Sequence, residues 1–107
     1  MNCQVVMTAT AKEDLRDIAR SIARQAQDPA PAIRFVGELR EQCRRLEQLP
    51  ERGAVPRDRV LLSAGYRFLV YKDYLIFYRY EKEENTVYIL SVLNGRRDYL
   101  SVLKKNL

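Results

Sequence analysis

Along this 107-residue chain the spacing of apolar positions changes several times, and each change marks an element. CQVVM at 3–7 is a short β-branched run and predicts a first strand. Thr10, with Glu13 three residues later, makes a capping box, in which hydroxyl and carboxylate satisfy backbone N–H groups at a helix start. Ala11, Leu15, Ile18, Ala19, Ile22, Ala23 and Ala26 then recur at helical spacing and predict an amphipathic helix of about four turns. Asp28-Pro29 interrupts and restarts the pattern, with Asp as N-cap and Pro at the first helical position. Ala32, Phe35, Val36, Leu39, Cys43, Leu46 and Leu49 carry a second helix to the neighbourhood of Pro50. Two helices with so short a link predict an antiparallel helical hairpin.

Residues 50–65, PERGAVPRDRVLLSAG, hold two prolines and two glycines and read as a connecting loop, made basic by Arg52, Arg57 and Arg59. The period then becomes two. YRFLVY at 66–71 and YLIFYRY at 74–80 flank Lys72-Asp73, the signal of a two-residue hairpin. EKEENT at 81–86 is a polar turn, and VYILSVL at 87–93 is a third run, apolar on both faces, which predicts an interior strand. DYLSVLKKNL at 98–107 suits a short last helix, capped by Asp98 and ending on Lys104 and Lys105 at its negative pole. The order β-α-α-β-β-β with a terminal helix segregates strands from helices. It predicts a single α+β domain over residues 1–107, an antiparallel hairpin-linked sheet with the helical hairpin on one face.

Composition narrows the chemistry. The chain is 47% hydrophobic and 31% charged, a globular balance. It has no histidine, which removes triads, histidine bases and histidine–metal clusters. Cys3 and Cys43 are expected to be free thiols, Cys43 as a small buried hydrophobe, and no metal or other cofactor is expected. No apolar run approaches the roughly 20 residues that span a bilayer. The start MNCQVVMTATAKEDL lacks the basic opening and long apolar centre of a signal peptide, so a cytoplasmic protein is expected. The net charge is +5, and it is uneven: +1 over residues 1–49 and +4 over 50–107. That field suits nucleic acid or an acidic protein, and a small-molecule substrate is not expected.

The element order, GYRFLVYKDYLIFYRYE at 65–81 and VYILSVLNGRRDYL at 87–100 together resemble the RelE/ParE superfamily. These are the toxins of bacterial type II toxin–antitoxin modules, often labelled plasmid stabilization proteins. The resemblance covers nearly the whole chain in layout and implies the RelE/ParE-like fold. It also implies one of two activities. RelE-like members cleave mRNA on the ribosome without a metal, through cations that stabilise charge on the scissile phosphate and groups that move protons. ParE-like members block DNA gyrase and carry no nuclease site. Where RelE-like nucleases place an arginine in the second hairpin strand, this chain has Leu75. Arg96 matches their arginine after the last strand, but no aromatic residue follows Tyr99, which stands a few residues early for a terminal catalytic tyrosine. YLIFYR and VLNGRRD look like the ParE branch, with Asn94 in place of its usual histidine. The resemblance therefore implies a growth-inhibiting toxin that binds DNA gyrase and is neutralised by a cognate antitoxin, with no catalytic residues. The alternative is a ribosome-dependent mRNA interferase using Arg96, Arg67 and Tyr99.

The candidate partner-binding residues are arginines. Arg96 and Arg97 either pair with Asp98 or solvent, or contact a partner or phosphate; neighbours on an extended chain point apart, so one of each role is compatible. Arg67 and Arg79 interrupt apolar strands and must reach solvent or a carboxylate, or, for Arg67, line a basic concave face. The tyrosines at 66, 71, 74, 78, 80 and 88 could stack bases but are expected to pack across strands. Arg16, Arg20, Arg24, Arg40 and Arg44 lie on the helical hairpin, where the resemblance implies that an acidic amphipathic antitoxin tail docks.

Overall fold

The computed structural model describes residues 2–105 and 107. Position 1, and position 106 in the stretch expected to form the last helix, lie outside the described residues. The elements are β1 (Gln4–Met7), α1 (Ala9–Ala26), α2 (Ala30–Arg44) with a 3-10 turn at Arg45–Glu47, α3 (Arg59–Ser63), β2 (Tyr66–Tyr71), β3 (Tyr74–Glu81), β4 (Thr86–Asn94) and α4 (Tyr99–Lys104). The α+β class and the helical hairpin are as the periodicity predicts.

The cap of α1 lies two residues earlier than predicted. Thr8, not Thr10, accepts from Ala11 N at 3.2 Å, and its hydroxyl donates to Ile89 O at 2.6 Å. One side chain therefore starts the helix and ties it to β4, a tertiary contact that outweighs the local box. At α2 the start lies one residue later than predicted: Pro29 is the N-cap and Ala30 the first helical residue, while the Asp28 carboxylate, one position further out, accepts from Ala30 N at 3.1 Å.

The four strands form one sheet in the order β1-β4-β3-β2. The pairs β2–β3 and β3–β4 are antiparallel, with Tyr71 opposite Tyr74 across the Lys72-Asp73 turn. The expectation of a wholly antiparallel sheet is corrected by β1, which lies parallel to β4 with Val5 opposite Val87. The long connection that a parallel pairing needs is supplied here by the helical hairpin, α3 and the β2–β3 hairpin, which all lie between β1 and β4 in the chain. β4 is interior, in keeping with its doubly apolar sequence. Tyr78 pairs with Ile89 and Phe77 with Ser91, so Leu90 is an extra residue, a bulge that puts both Ile89 and Val92 on the helix side. The Asp14 carboxylate of α1 fastens this bulge, accepting from Ser91 Oγ at 2.7 Å and Val92 N at 2.9 Å.

The sheet is covered on both faces. On one, Ala11, Leu15 and Ile18 of α1 and Leu39 and Cys43 of α2 pack on Leu69, Ile76, Tyr78, Val87, Ile89 and Val92. On the other, Leu61 of α3 and Leu103 of α4 close over Tyr66, Phe77 and Leu93. The first covering was expected and the second was not. The segment 50–65 is not all loop: Asp58 caps α3 by accepting from Val60 N and Leu61 N, and Gly65, at φ 80, turns the chain into β2. A five-residue helix lies below the length at which periodicity can be read. Both cysteines are free and buried. Burial pushes the Cys43 thiol up to about 12 and raises that of Cys3.

Candidate functional site

The face under α3 and α4 carries an apolar concavity. A cavity of about 430 Å³ is walled by Val55 and Pro56 of the 50–58 segment, Leu61 of α3, Phe68 and Leu75 of the sheet, and Leu100 of α4, with Phe77 and Tyr99 also lining it. Tyr99 is half-buried there, its ring 5.7 Å from that of Phe77. Leu75, which occupies the sequence position of the nuclease arginine, is therefore part of an apolar wall. The charged residues lining the cavity are Arg57 and Asp58. Asp58 is committed to the N-terminus of α3 and to Lys104 Nζ of α4, 2.7 Å away. That lysine contact, more than the backbone bonds, holds its carboxyl below the ordinary value. The pair latches α4 across the cavity.

The turn after β4 brings the paired arginines to the edge of this face. Asn94 forms the turn: its side-chain oxygen accepts from Arg96 N at 2.8 Å and its backbone oxygen from Arg97 N at 3.1 Å. Gly95 N donates to Asp73 O at 2.8 Å, which fastens the turn to the β2–β3 hairpin, and a Cβ at Gly95 would lie 3.7 Å from Leu75 Cγ. Arg96 is highly exposed, and its one ion pair among the described residues is a loose, exposed contact with Asp73, 3.9 Å away. Arg97 lies instead in a small mixed groove against α1, lined by the polar Asp14, Asp17, Ser21 and Asn94 and by the apolar Ile18 and Val92. The two arginines thus face different surroundings.

Arg67 is on the other side of the sheet. It is registered opposite Tyr78, which is buried beneath the helical hairpin, while its neighbour Phe68 lines the cavity. Its guanidinium donates to Gly53 O at 3.1 Å and Glu51 O at 3.2 Å and pairs with the Glu51 carboxylate at 3.5 Å. It staples the 50–54 segment. Arg79 lies at the far end of the cavity-bearing face, in a polar recess with Glu81, Glu84 and Tyr88. Its Nε is 2.6 Å from Glu81 Oε1, yet off the N–H axis, so this is an ion pair and not an aligned hydrogen bond. The Tyr88 hydroxyl bonds to Glu84, which raises its pKa. The remaining tyrosines mostly pack: Tyr78 is fully buried, and Tyr71 and Tyr74 lie against Phe35.

On the outer surface of the hairpin, Arg16 is exposed and Arg20 pairs with Asp17 at 3.3 Å. Arg20 and Arg40 also line an apolar groove of about 590 Å³ between α1 and α2, together with Ala23, Ile33, Val36 and Gly37. Ile33 leaves 72% of its surface in solvent there. Arg96, Arg67 and Tyr99 therefore do not converge. Sequence reasoning missed the cavity walls Val55, Pro56 and Leu61; the apolar residues scattered through GAVPRDRVLL were their one local signal.

Residues 5–99 match the family described as ParE toxin of type II toxin–antitoxin system, parDE. Among solved structures, the chromosomal ParDE toxin–antitoxin system from P. aeruginosa is similar at a TM-score of 0.72 and 22% identity, over 86% of this chain and 95% of that one. The toxin–antitoxin complex RelBE2 from Mycobacterium tuberculosis is similar at 0.66 and 25%, over 88% and 99%. A mutant of the E. coli toxin RelE in the free state is similar at 0.65 and 13%, over the full length of both. No curated protein matches.

Proposed function

This chain belongs to the ParE toxin family of type II toxin–antitoxin systems, and from that premise we propose that it arrests growth in the cytoplasm by binding DNA gyrase, without catalysis. The observation that carries the reading is the make-up of the cavity under α4. Leucine stands where a nuclease needs a cation, Tyr99 is packed on Phe77, and Arg67 is across the sheet. A scissile phosphate in that cavity would meet Leu75 in place of an arginine and would not reach Arg67, and an apolar wall cannot stabilise a phosphorane. Arg96, exposed at the edge and loosely paired, is free to serve recognition.

A cognate antitoxin is the second partner. Toxin–antitoxin assemblies among the similar structures support it. The groove between α1 and α2 supports it too, because an apolar floor flanked by Arg20 and Arg40 suits an amphipathic helix with acidic edges. The test is direct. Purified protein should inhibit gyrase supercoiling and leave ribosome-bound mRNA intact, and codon-specific cleavage of that mRNA would replace this reading with the interferase one. Replacing Arg96 and Arg97 together with Ala should weaken toxicity more than folding.

A further inference from the structure

We infer that the cavity under α4 is a socket for one bulky apolar side chain, aromatic or leucyl, carried on an acidic segment of the protein that this toxin poisons. The inference rests on the reading above that the chain acts by binding a protein.

Three observations point to such an occupant. The first is the lining. At about 430 Å³ the cavity has the size of pockets that take a buried group, and Leu61, Phe68, Leu75, Phe77 and Leu100 supply its walls. Those walls favour a side chain that leaves water entirely. The second is the surround. On the segment and helix that wall the cavity, Val55, Val60 and Leu62 leave 49%, 49% and 48% of their surfaces in solvent. Of these, Val55 lines the cavity, and Val60 and Leu62 flank its wall residue Leu61 along α3; exposed apolar surface beside a pocket helps exclude water around a central anchor, the arrangement that concentrates binding energy in a few residues.

The third is charge. Asp58 is answered by Lys104, whereas Arg57 and Arg59, on either side of it, are exposed and have no ion-pair partner among the described residues. Arg96 stands at the Leu75 edge in its loose pair with Asp73. Against these three arginines stands Asp98, next to Tyr99, which is bonded to Ser101 and has no ion-pair partner among the described residues; the balance around the mouth is positive, and carboxylates flanking the anchor would meet it. A second copy of this chain fits poorly, because it would bring the same positive collar against itself. A nucleic acid would find a single cation, Arg57, in the lining, beside the carboxylate of Asp58, and no second one converging with it.

Val55→Trp tests the socket, since it puts a ring at the mouth from the toxin's own surface and leaves the sheet untouched. Arg57→Glu tests the collar from an exposed position. Both are expected to keep the wild-type melting temperature and antitoxin capture. Both are expected to lose growth arrest on induction and to need at least ten-fold more protein for the same effect on the target. Growth arrest by folded V55W and R57E at wild-type levels overturns the inference whichever target is hit. Loss of antitoxin capture with toxicity retained also overturns it, by assigning the cavity to the antitoxin. If V55W is harmless while the wild-type chain arrests growth without touching gyrase or mRNA, the socket stands and gyrase falls. If the wild-type chain cleaves mRNA and V55W abolishes the cleavage, socket and reading fall together.

Discussion

Tyr78→Phe removes a single oxygen, and the structure gives that oxygen a defined task. The Tyr78 side chain is fully buried, and its phenol oxygen accepts from Gly53 N at 2.9 Å. Gly53 is itself buried and so close that a Cβ there would lie 2.6 Å from the same oxygen. The variant loses a hydrogen bond and strands a buried N–H, which together cost about 1–3 kcal/mol. For a domain of this length about 1 kcal/mol moves the melting temperature by roughly 4–5 °C, so a fall of about 4–15 °C is expected in thermal denaturation followed by circular dichroism. The same bond, with Arg67, holds the 50–54 segment leading into the cavity wall. Trypsin should therefore cut the native variant at Arg52 faster than wild type. Tyr78→Phe combined with Arg67→Met should be non-additive, because both grip Gly53. A melting temperature within 1 °C of wild type and unchanged trypsin sensitivity would refute the claim that this bond positions the segment.

Gly53→Ala should destabilise by about 1–3 kcal/mol through overpacking, because its Cβ would meet the Phe68 backbone oxygen at 2.9 Å as well as the Tyr78 ring; a neutral effect in urea unfolding would show that the segment yields. The latch gives a pH signature. Asp58 is held below its ordinary value of 3.8 chiefly by Lys104, so its contribution is fully present above about pH 4 and is lost as pH falls through the depressed folded value. Lys104→Met should make stability fall less steeply over that acid range, and an unchanged slope would count against the latch. Both thiols are raised by burial, Cys43 to about 12, so a disulfide-exchange reagent at mildly alkaline pH should label neither in native protein and both in denaturant; rapid native labelling of Cys43 would mean that α2 opens readily.

Much of the fold was legible because its determinants are local. The helical repeat from Ala11 to Ala26, the Asp28-Pro29 restart and the period of two around Lys72-Asp73 each span a few residues, and each became the element it predicted. The cap of α1 was misread because the choice between Thr8 and Thr10 depends on Ile89, far along the chain. The candidate site was legible only as a set of residue types. That Leu75 is no cation, and that no histidine exists, are facts of composition. That Tyr99 packs on Phe77 and that Arg67 staples a segment beneath the helical hairpin are not.

The sequence by itself determined the elements, their apolar faces, the family resemblance and the absence of histidine chemistry, because periodicity and residue type act within a turn or a strand. Tertiary structure alone decided the parallel seat of β1 beside β4, the bulge at Leu90, and the closing of α3 and α4 over the second face. These depend on pairings between residues distant in the chain, where the packing of whole faces outweighs any local preference. They also decided the character of the site. Alternation along β2 puts Arg67 and Phe68 on opposite faces whatever the fold, but only the placement of α4 determined which face would hold the cavity.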